Sequence, residues 1–196
     1  MADRSATIDR QTGETSVHVE LHLDQPGAAD VDTGIGFLDH LLTAIAVHGD
    51  IHLHLTCDGD LHVDDHHPAE DCAIALGQAV DEALGERRGI ARFGHAYAPL
   101  DESLSRAVID LSGRPHAEVT LGLGDGRLGE LAKENVPHVL TTLAMNANAT
   151  VHVDVIRGDN DHHRAESAVK AFALALRMAI ATDDGDRVPS TKGTLQ

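Results

Sequence analysis

The chain is short of aromatic residues: one Tyr, three Phe and no Trp occur in 196 residues. Its core must therefore be built from Ala, Val, Leu and Ile. Lysine is almost as scarce, with Lys133, Lys170 and Lys192 set against 32 Asp plus Glu and a formal charge of −17. Such a surface excludes nucleic acid and anionic membranes as partners of the protein as a whole. It would suit a salt-rich cytoplasm in which counterions screen the self-repulsion. Cys57 and Cys72 are the only cysteines, form no CxxC motif, and read as two reduced, buried thiols. No run of about 18 apolar residues exists to cross a membrane. The opening MADRSATIDR lacks the apolar stretch of a signal peptide, so the expected location is the cytoplasm.

What the chain has in excess is histidine, fifteen residues in all. DDHHPAE at 64–70 and NDHHRAE at 160–166 share the same His-His core, and His66 and His162 stand 96 positions apart. Upstream, HLLTAIAVH (40–48) aligns with HVLTTLAMN (138–146), matching His40 to His138, and HLHL (52–55) aligns with VHVDV (151–155), matching His54 to His152. The same order of His, helix, strand and His-His twice over marks an internal duplication. The junction falls near GERRGIARFG (85–94), dividing the chain into half-repeats 1–90 and 91–196 that together form one compact unit.

Each half reads as strands plus two helices. ETSVHVELHL (14–23) alternates apolar and polar, as a half-buried strand does. FLDHLLTAIAVHG has helical spacing with Gly49 as the expected C-terminal cap, and IHLHLTC is a strand. A longer helix runs from His66 to Gly85 and tolerates Pro68 in its first turn. The second half repeats this with strands near 93–100, 104–111, 115–121 and 150–156 and helices near 137–147 and 162–182. The predicted class is α+β: duplicated halves, each a mixed sheet with two helices, and the helices packed between the two sheets.

On a helix His66 and Glu70 share a face, as do His162 and Glu166. Adjacent residues such as His66 and His67, or His162 and His163, diverge by about 100°, so a pair suits one nitrogen to each of two ions better than chelation of one. With His40 and His138 the set reaches six imidazoles and two carboxylates. Shared evenly, it gives each of two metals three nitrogens and one oxygen. Mn(II), Fe(II), Co(II) and Zn(II) all fit such ligands, whereas a structural Cys zinc site does not arise. Asp64, Asp65, Asp71 and Asp161 lie near enough to orient the imidazoles. The histidines at 18, 22, 52 and 62 read as solvent-facing strand residues, and His48 and His95 as residues near the motifs without a counterpart in the other half.

In so acidic a chain the cations stand out. Arg92, Arg114, Lys170 and the tail PSTKG (189–193) offer guanidinium, ammonium, hydroxyl and backbone N–H groups suited to a phosphate. Lys170 follows Glu166 by one helical turn, and a cation beside a metal site calls for an anionic ligand. Spacing alone leaves relief of surface charge as an equal explanation.

TGIGFLDHLL, GDLHVDDHHPAEDCAIALGQA, RFGHAYAPLDESLSRAVIDLSGRP, NVPHVL and DNDHHRAESAVKAF together resemble the imidazoleglycerol-phosphate dehydratase family of histidine biosynthesis, over about Arg10 to Gly193. The resemblance implies a hydro-lyase that turns imidazole glycerol phosphate into imidazole acetol phosphate using two Mn(II) ions. It implies a homo-oligomer of about two dozen subunits with active sites at subunit interfaces. By residue it implies His40, His66, His67, Glu70, His138, His162, His163 and Glu166 as metal ligands. Arg92, Arg114, Lys170, Ser190 and Lys192 would hold the phosphate, with His48 as a substrate contact. Glu14 and Asp101 would stand near the reacting carbons, Glu14 as the base. The implied chemistry binds the ring as imidazolate between the metals, expels the hydroxyl on the adjacent carbon and removes the neighbouring proton to a carboxylate. Two departures are Ala44, where many relatives carry Gln, and Pro68 in place of a common Thr. Among rivals, a DHH-type metal-dependent phosphoesterase needs an Asp-rich motif on an early strand, which is missing. A metal-storage protein leaves the basic residues without a use, and a ferritin-like di-iron bundle is disfavoured because strands interrupt the helices.

Overall fold

The computed structural model describes residues 4–183, 185, 187–193 and 195. The first half runs β1 (Ser5–Gln11), β2 (Thr15–His22), β3 (Ala28–Asp32), α1 (Gly36–Gly49), β4 (His52–Gly59) and α2 (His66–Leu84). The second runs β5 (Phe93–Leu100), β6 (Ser103–Asp110), β7 (His116–Thr120), β8 (Arg127–Leu128), β9 (Leu131–Ala132), α3 (Asn135–Asn146), β10 (Thr150–Arg157) and α4 (Asp161–Ile180).

The two main sheets have the same topology, β1-β2-β4-β3 and β5-β6-β10-β7. In each, the first three strands pair antiparallel and the edge strand pairs parallel to its neighbour. The duplication therefore extends to register: Leu21 faces Leu53 in one sheet and Ile109 faces Val151 in the other. Strand alternation aims Val17, Val19 and Leu21 into the core and leaves His18 and His22 on the outer face. All four helices lie between the sheets. α2 packs on β1 and β2, α4 packs on β5 and β6, and across the halves α1 meets α4 and α2 meets α3.

Sequence reading missed β1 and β3, and the β8–β9 hairpin inserted between β7 and α3. β3 is a short edge strand whose exposure alternates only weakly, so its apolar signal is slight. Gly49 is not the C-terminal cap of α1. Asp50 takes the left-handed conformation there (φ 55°), while Gly49 packs inward, where a Cβ would lie 3.7 Å from the Ala173 carbonyl of α4. His62 lies in a turn rather than a strand. Cys72 is buried, but Cys57 is only half-buried.

Small residues set the spacing of the layers. A Cβ on Gly77 of α2 would come within 2.6 Å of the Leu143 carbonyl of α3, and one on Gly94 of β5 within 1.9 Å of the Ala175 carbonyl of α4. Arg87 is buried in the seam between halves, pairing with Asp81 and donating to the carbonyls of Asn148 (2.9 Å) and Ala147 (2.8 Å). Gly94→Ala must push β5 off α4 and is expected to cost about 3 kcal/mol or more. Gly36→Ala, whose new Cβ meets nothing within 4 Å, is the control expected to be near neutral. Denaturant melts of the two variants make the comparison.

Candidate active site

The cross-half packing brings six of the eight predicted ligands together in two groups. His40 of α1 meets His162 and Glu166 of α4, and His138 of α3 meets His66 and Glu70 of α2. Each triad thus takes one imidazole from the short helix of one half and an i, i+4 pair from the long helix of the other. Glu166 Oε2 lies 3.3 Å from both His40 Nε2 and His162 Nε2, and His138 Nε2 lies 3.2 Å from Glu70 Oε1. The His66 and His138 rings stack at 5.0 Å, while Phe37 sets its ring edge-on to His162 at 5.0 Å. Two nitrogens and one oxygen in each triad form a donor set that fits a borderline divalent cation.

His67 and His163 join neither triad. Their rings are turned 70° and 89° from those of their neighbours His66 and His162. His67 Nδ1 lies 3.1 Å from Asp60 and 3.6 Å from Glu14, and His163 Nδ1 lies 2.7 Å from Glu102. Within one chain the expected four-ligand sets are therefore incomplete by one imidazole each. The helical divergence of adjacent residues is the reason.

One supporting network fixes a tautomer. Asn135 Nδ2 donates to Asp65 Oδ2 at 2.9 Å, so Asn135 Oδ1 is the atom facing His66 Nδ1 at 3.1 Å. His66 must donate there, which leaves its Nε2 lone pair for a cation. Asp65 also accepts from the Ala132 N–H (2.6 Å) and from Arg127 (2.6 and 3.0 Å). Burial pushes the Asp65 carboxyl up, but these donors outweigh it and hold it below the usual range. Of the other carboxylates expected to orient imidazoles, Asp64 accepts from the His66 backbone N–H (2.9 Å), Asp71 pairs with Arg10 and Thr15, and Asp161 pairs with Lys133. None of these three touches a ligand ring, because each is drawn to a nearer donor. Asn135, Asp60, Glu102 and Arg127 were missed by sequence reading. Long-range packing brings Asn135, Glu102 and Arg127 to the motif, whereas Asp60 lies only seven positions before His67 and reaches it through the turn after β4; Glu102 is also the duplicate of Glu14.

Lys170 lies where the helical spacing put it, with Nζ 2.6 Å from Glu166 Oε1. Burial acts to raise the Glu166 carboxyl, yet the Lys170 ammonium and the His40 ring hold it down at about 2. His48 is pushed below its ordinary value by burial first and by Lys170 second. The remaining phosphate candidates gather elsewhere, at the far end of α4. Arg92 donates to both Asp110 oxygens (2.6 and 3.0 Å) and to the Pro189 carbonyl (2.7 Å), and Arg114 stands 3.9 Å from Asp110. Ser190 Oγ accepts from the Lys192 N–H at 3.2 Å. One chain therefore does not bring Lys170 to the same place as Arg92, whose N–H is bonded to Ala179, nine residues or about 14 Å along the helix. Glu14 and Asp101 sit in the tight turns before β2 and β6, both exposed, and Asp101 is 3.9 Å from His163 Nε2.

A family model described as imidazoleglycerol-phosphate dehydratase matches residues 33–176. Relatives bearing that name include one from Zymomonas mobilis, 53% identical over 98% of this chain and 99% of the relative. Another, from Phytophthora nicotianae, is 55% identical over 98% of this chain, which spans 42% of that longer protein. The crystal structure of imidazoleglycerol-phosphate dehydratase from Staphylococcus aureus superposes with a TM-score of 0.82 at 34% identity, covering 91% of this chain and 99% of that one.

The depressed Glu166 carboxyl links stability to pH. Its folded pKa of about 2 lies below the ordinary glutamate value of 4.5, so its contribution to the metal-free protein is complete above about 4.5 and is lost as pH falls towards 2. Urea denaturation of chelator-treated protein across this window should show a shallower acid loss for Glu166→Gln than for the unsubstituted chain.

Proposed function

The chain belongs to the imidazoleglycerol-phosphate dehydratase family, and on that footing we propose that it converts imidazole glycerol phosphate to imidazole acetol phosphate, a hydro-lyase step in histidine biosynthesis. The observation that carries this reading is the pair of cross-half triads, His40/His162/Glu166 and His66/His138/Glu70, with a lysine on one of them. We assign the triads to two divalent cations, Mn(II) by preference. When bound, such ions supply Lewis-acid stabilisation of the negative charge that develops on the substrate ring.

The protein's own groups do the rest. Glu14, exposed in the turn before β2 and beside His67, is the base that takes the proton from the carbon next to the one losing its hydroxyl. The departing hydroxyl and that proton account for the water released. The enol left behind becomes a ketone by moving its proton to the carbon beside the ring, a step that Asp101 assists. Arg92, Arg114, Ser190, Lys192 and Lys170 take the phosphate, and His48 contacts the substrate. Ala44 is buried in α1, so the position offers the substrate no polar group.

His67 and His163 stand outside the two triads. The reading therefore places sites between subunits of a homo-oligomer of about 24 copies, where an imidazole from one copy adds to a triad of another. The same arrangement lets Lys170 of one copy work with the Arg92 cluster of the next. The working location is the cytoplasm; among the described residues no helix is long and apolar enough to cross a membrane.

Stripping the assembled protein with a chelator should abolish release of the ketone product, and added Mn(II) should restore it. Glu14→Gln should lower kcat by about 10²- to 10⁴-fold while leaving Mn(II) uptake intact. Product formation by the stripped protein without added metal would end the metal assignment, and unchanged turnover in Glu14→Gln would remove Glu14 from the mechanism.

A further inference from the structure

The duplication makes Glu14 and Glu102 counterparts. Thr15 opens β2 as Ser103 opens β6, and each follows a glutamate in a tight turn. Their present surroundings differ. Glu102 is fully engaged: Oε2 is 2.7 Å from His163 Nδ1, and Oε1 accepts from the backbone N–H groups of Asp159 (3.2 Å) and Asn160 (3.0 Å). Glu14 stops 3.6 Å short of His67 Nδ1, because Asp60 is already there at 3.1 Å.

The residue after the central strand explains the difference. In the first half it is Asp60, which opens a six-residue connection from β4 to α2; in the second it is Gly158, which opens a three-residue connection from β10 to α4. Gly158 has φ 146°, and a Cβ there would lie 2.6 Å from Ser103 Oγ and 3.0 Å from the Arg164 side chain. No aspartate fits at 158, so the second half has no substitute for Glu102.

We propose that the two glutamates have divided the ancestral task. Glu102 is a positioning residue that holds His163 as the Nδ1–H tautomer with Nε2 turned outward to a cation. Asp60 does the same for His67 and so releases Glu14 to act on the substrate. Carboxylates that accept from the far nitrogen of a ligand imidazole commonly tune metal affinity by about 10- to 100-fold. The proposal rests on the metal reading above and extends it to residues outside the ligand set.

Mn(II) titration of the assembled protein, read by the EPR signal of free Mn(II), separates the possibilities. Glu102→Gln keeps an acceptor for the two backbone N–H groups but loses the carboxylate from His163. It should weaken Mn(II) binding about 10- to 100-fold, as should Asp60→Asn, whereas Glu14→Gln should not. Turnover of Glu102→Gln should climb as Mn(II) is added, and that of Glu14→Gln should stay low. Unaltered Mn(II) affinity in Glu102→Gln overturns the proposal, whether turnover is retained (a purely structural contact) or lost (a second base). Failure of the unsubstituted protein to bind Mn(II) removes the metal reading itself. A measurement independent of variant folding is the ¹⁵N spectrum of the histidine-labelled, metal-free protein, with His163 assigned by its loss in His163→Asn. Protonation on Nδ1 is the expected result, and protonation on Nε2 overturns the proposal.

Discussion

Everything at the candidate site depends on how closely the two halves approach. Each triad takes its imidazoles from helices that belong to different halves, so an ångström of slack between α1 and α4, or between α2 and α3, would pull a nitrogen off its carboxylate. The helices achieve this approach by being small-sided where they meet. Gly77 lets the backbone of α3 come down on α2, where a Cβ would lie 2.6 Å from the Leu143 carbonyl. The buried face of α4 is mostly alanine: Ala165, Ala168, Ala171, Ala173, Ala175 and Ala179. Scarcity of aromatics and precision of the site are thus one property, since bulky core residues would hold the sheets and helices apart.

Duplication supplied two copies of a frame, and the copies then diverged where polar groups had to be buried. Thr15 hydrogen-bonds Asp71 beneath the first sheet, and the buried Asp71 is neutralised by Arg10. At the matching place beneath the second sheet, Ser103 and Ser105 share the hydroxyl of Ser167 at 3.0 and 2.7 Å, with no charge at all. Both solutions satisfy the buried groups, as a low-dielectric interior demands. The β8–β9 hairpin is a larger divergence with a local consequence: it brings Arg127 and the Ala132 N–H to Asp65, and so stiffens the support of His66.

Much of this was legible in the sequence because it is periodic. Four-residue spacing put His66 with Glu70 and His162 with Glu166, and one further turn put Lys170 on Glu166; all three pairings hold. The α+β class and the central helices followed from strand alternation and helical spacing read twice. The misreadings share a different cause. Asp71 and Asp161 sit one or two positions from ligand residues, yet nearness in sequence says nothing about which donor a carboxylate meets, and Arg10 and Lys133 claimed them. Asn135 reaches His66 from 69 positions away, a contact no local pattern encodes. The division of six ligands into two triads, with His67 and His163 outside, depends on which helix of one half lies against which helix of the other. That is a fact of tertiary packing.

The charge of the chain bears on how such a site could work. A protein at −17 draws divalent cations towards itself and repels a phosphate ester. Local positive charge must reverse that field where the ester docks. The Arg92 guanidinium cannot do so alone, because Asp110 already neutralises it in a two-oxygen ion pair. What the pair does is fix Arg92 in place, leaving Nη1 on the Pro189 carbonyl and tying the 187–193 tail to the start of β5. On the proposed reading the further positive charge would come from exposed Arg114, which shares Asp110 at 3.9 Å, and from Lys192 in the tail that this tie holds. Lys170 is the converse case. Its ammonium is matched to Glu166, a carboxylate kept ionised far below its usual range. A cation bound by Glu166 would compete with that ion pair and turn the ammonium towards whatever anion lies beside the metal. The same lysine would then compensate Glu166 before the cation arrives and the substrate's phosphate after it.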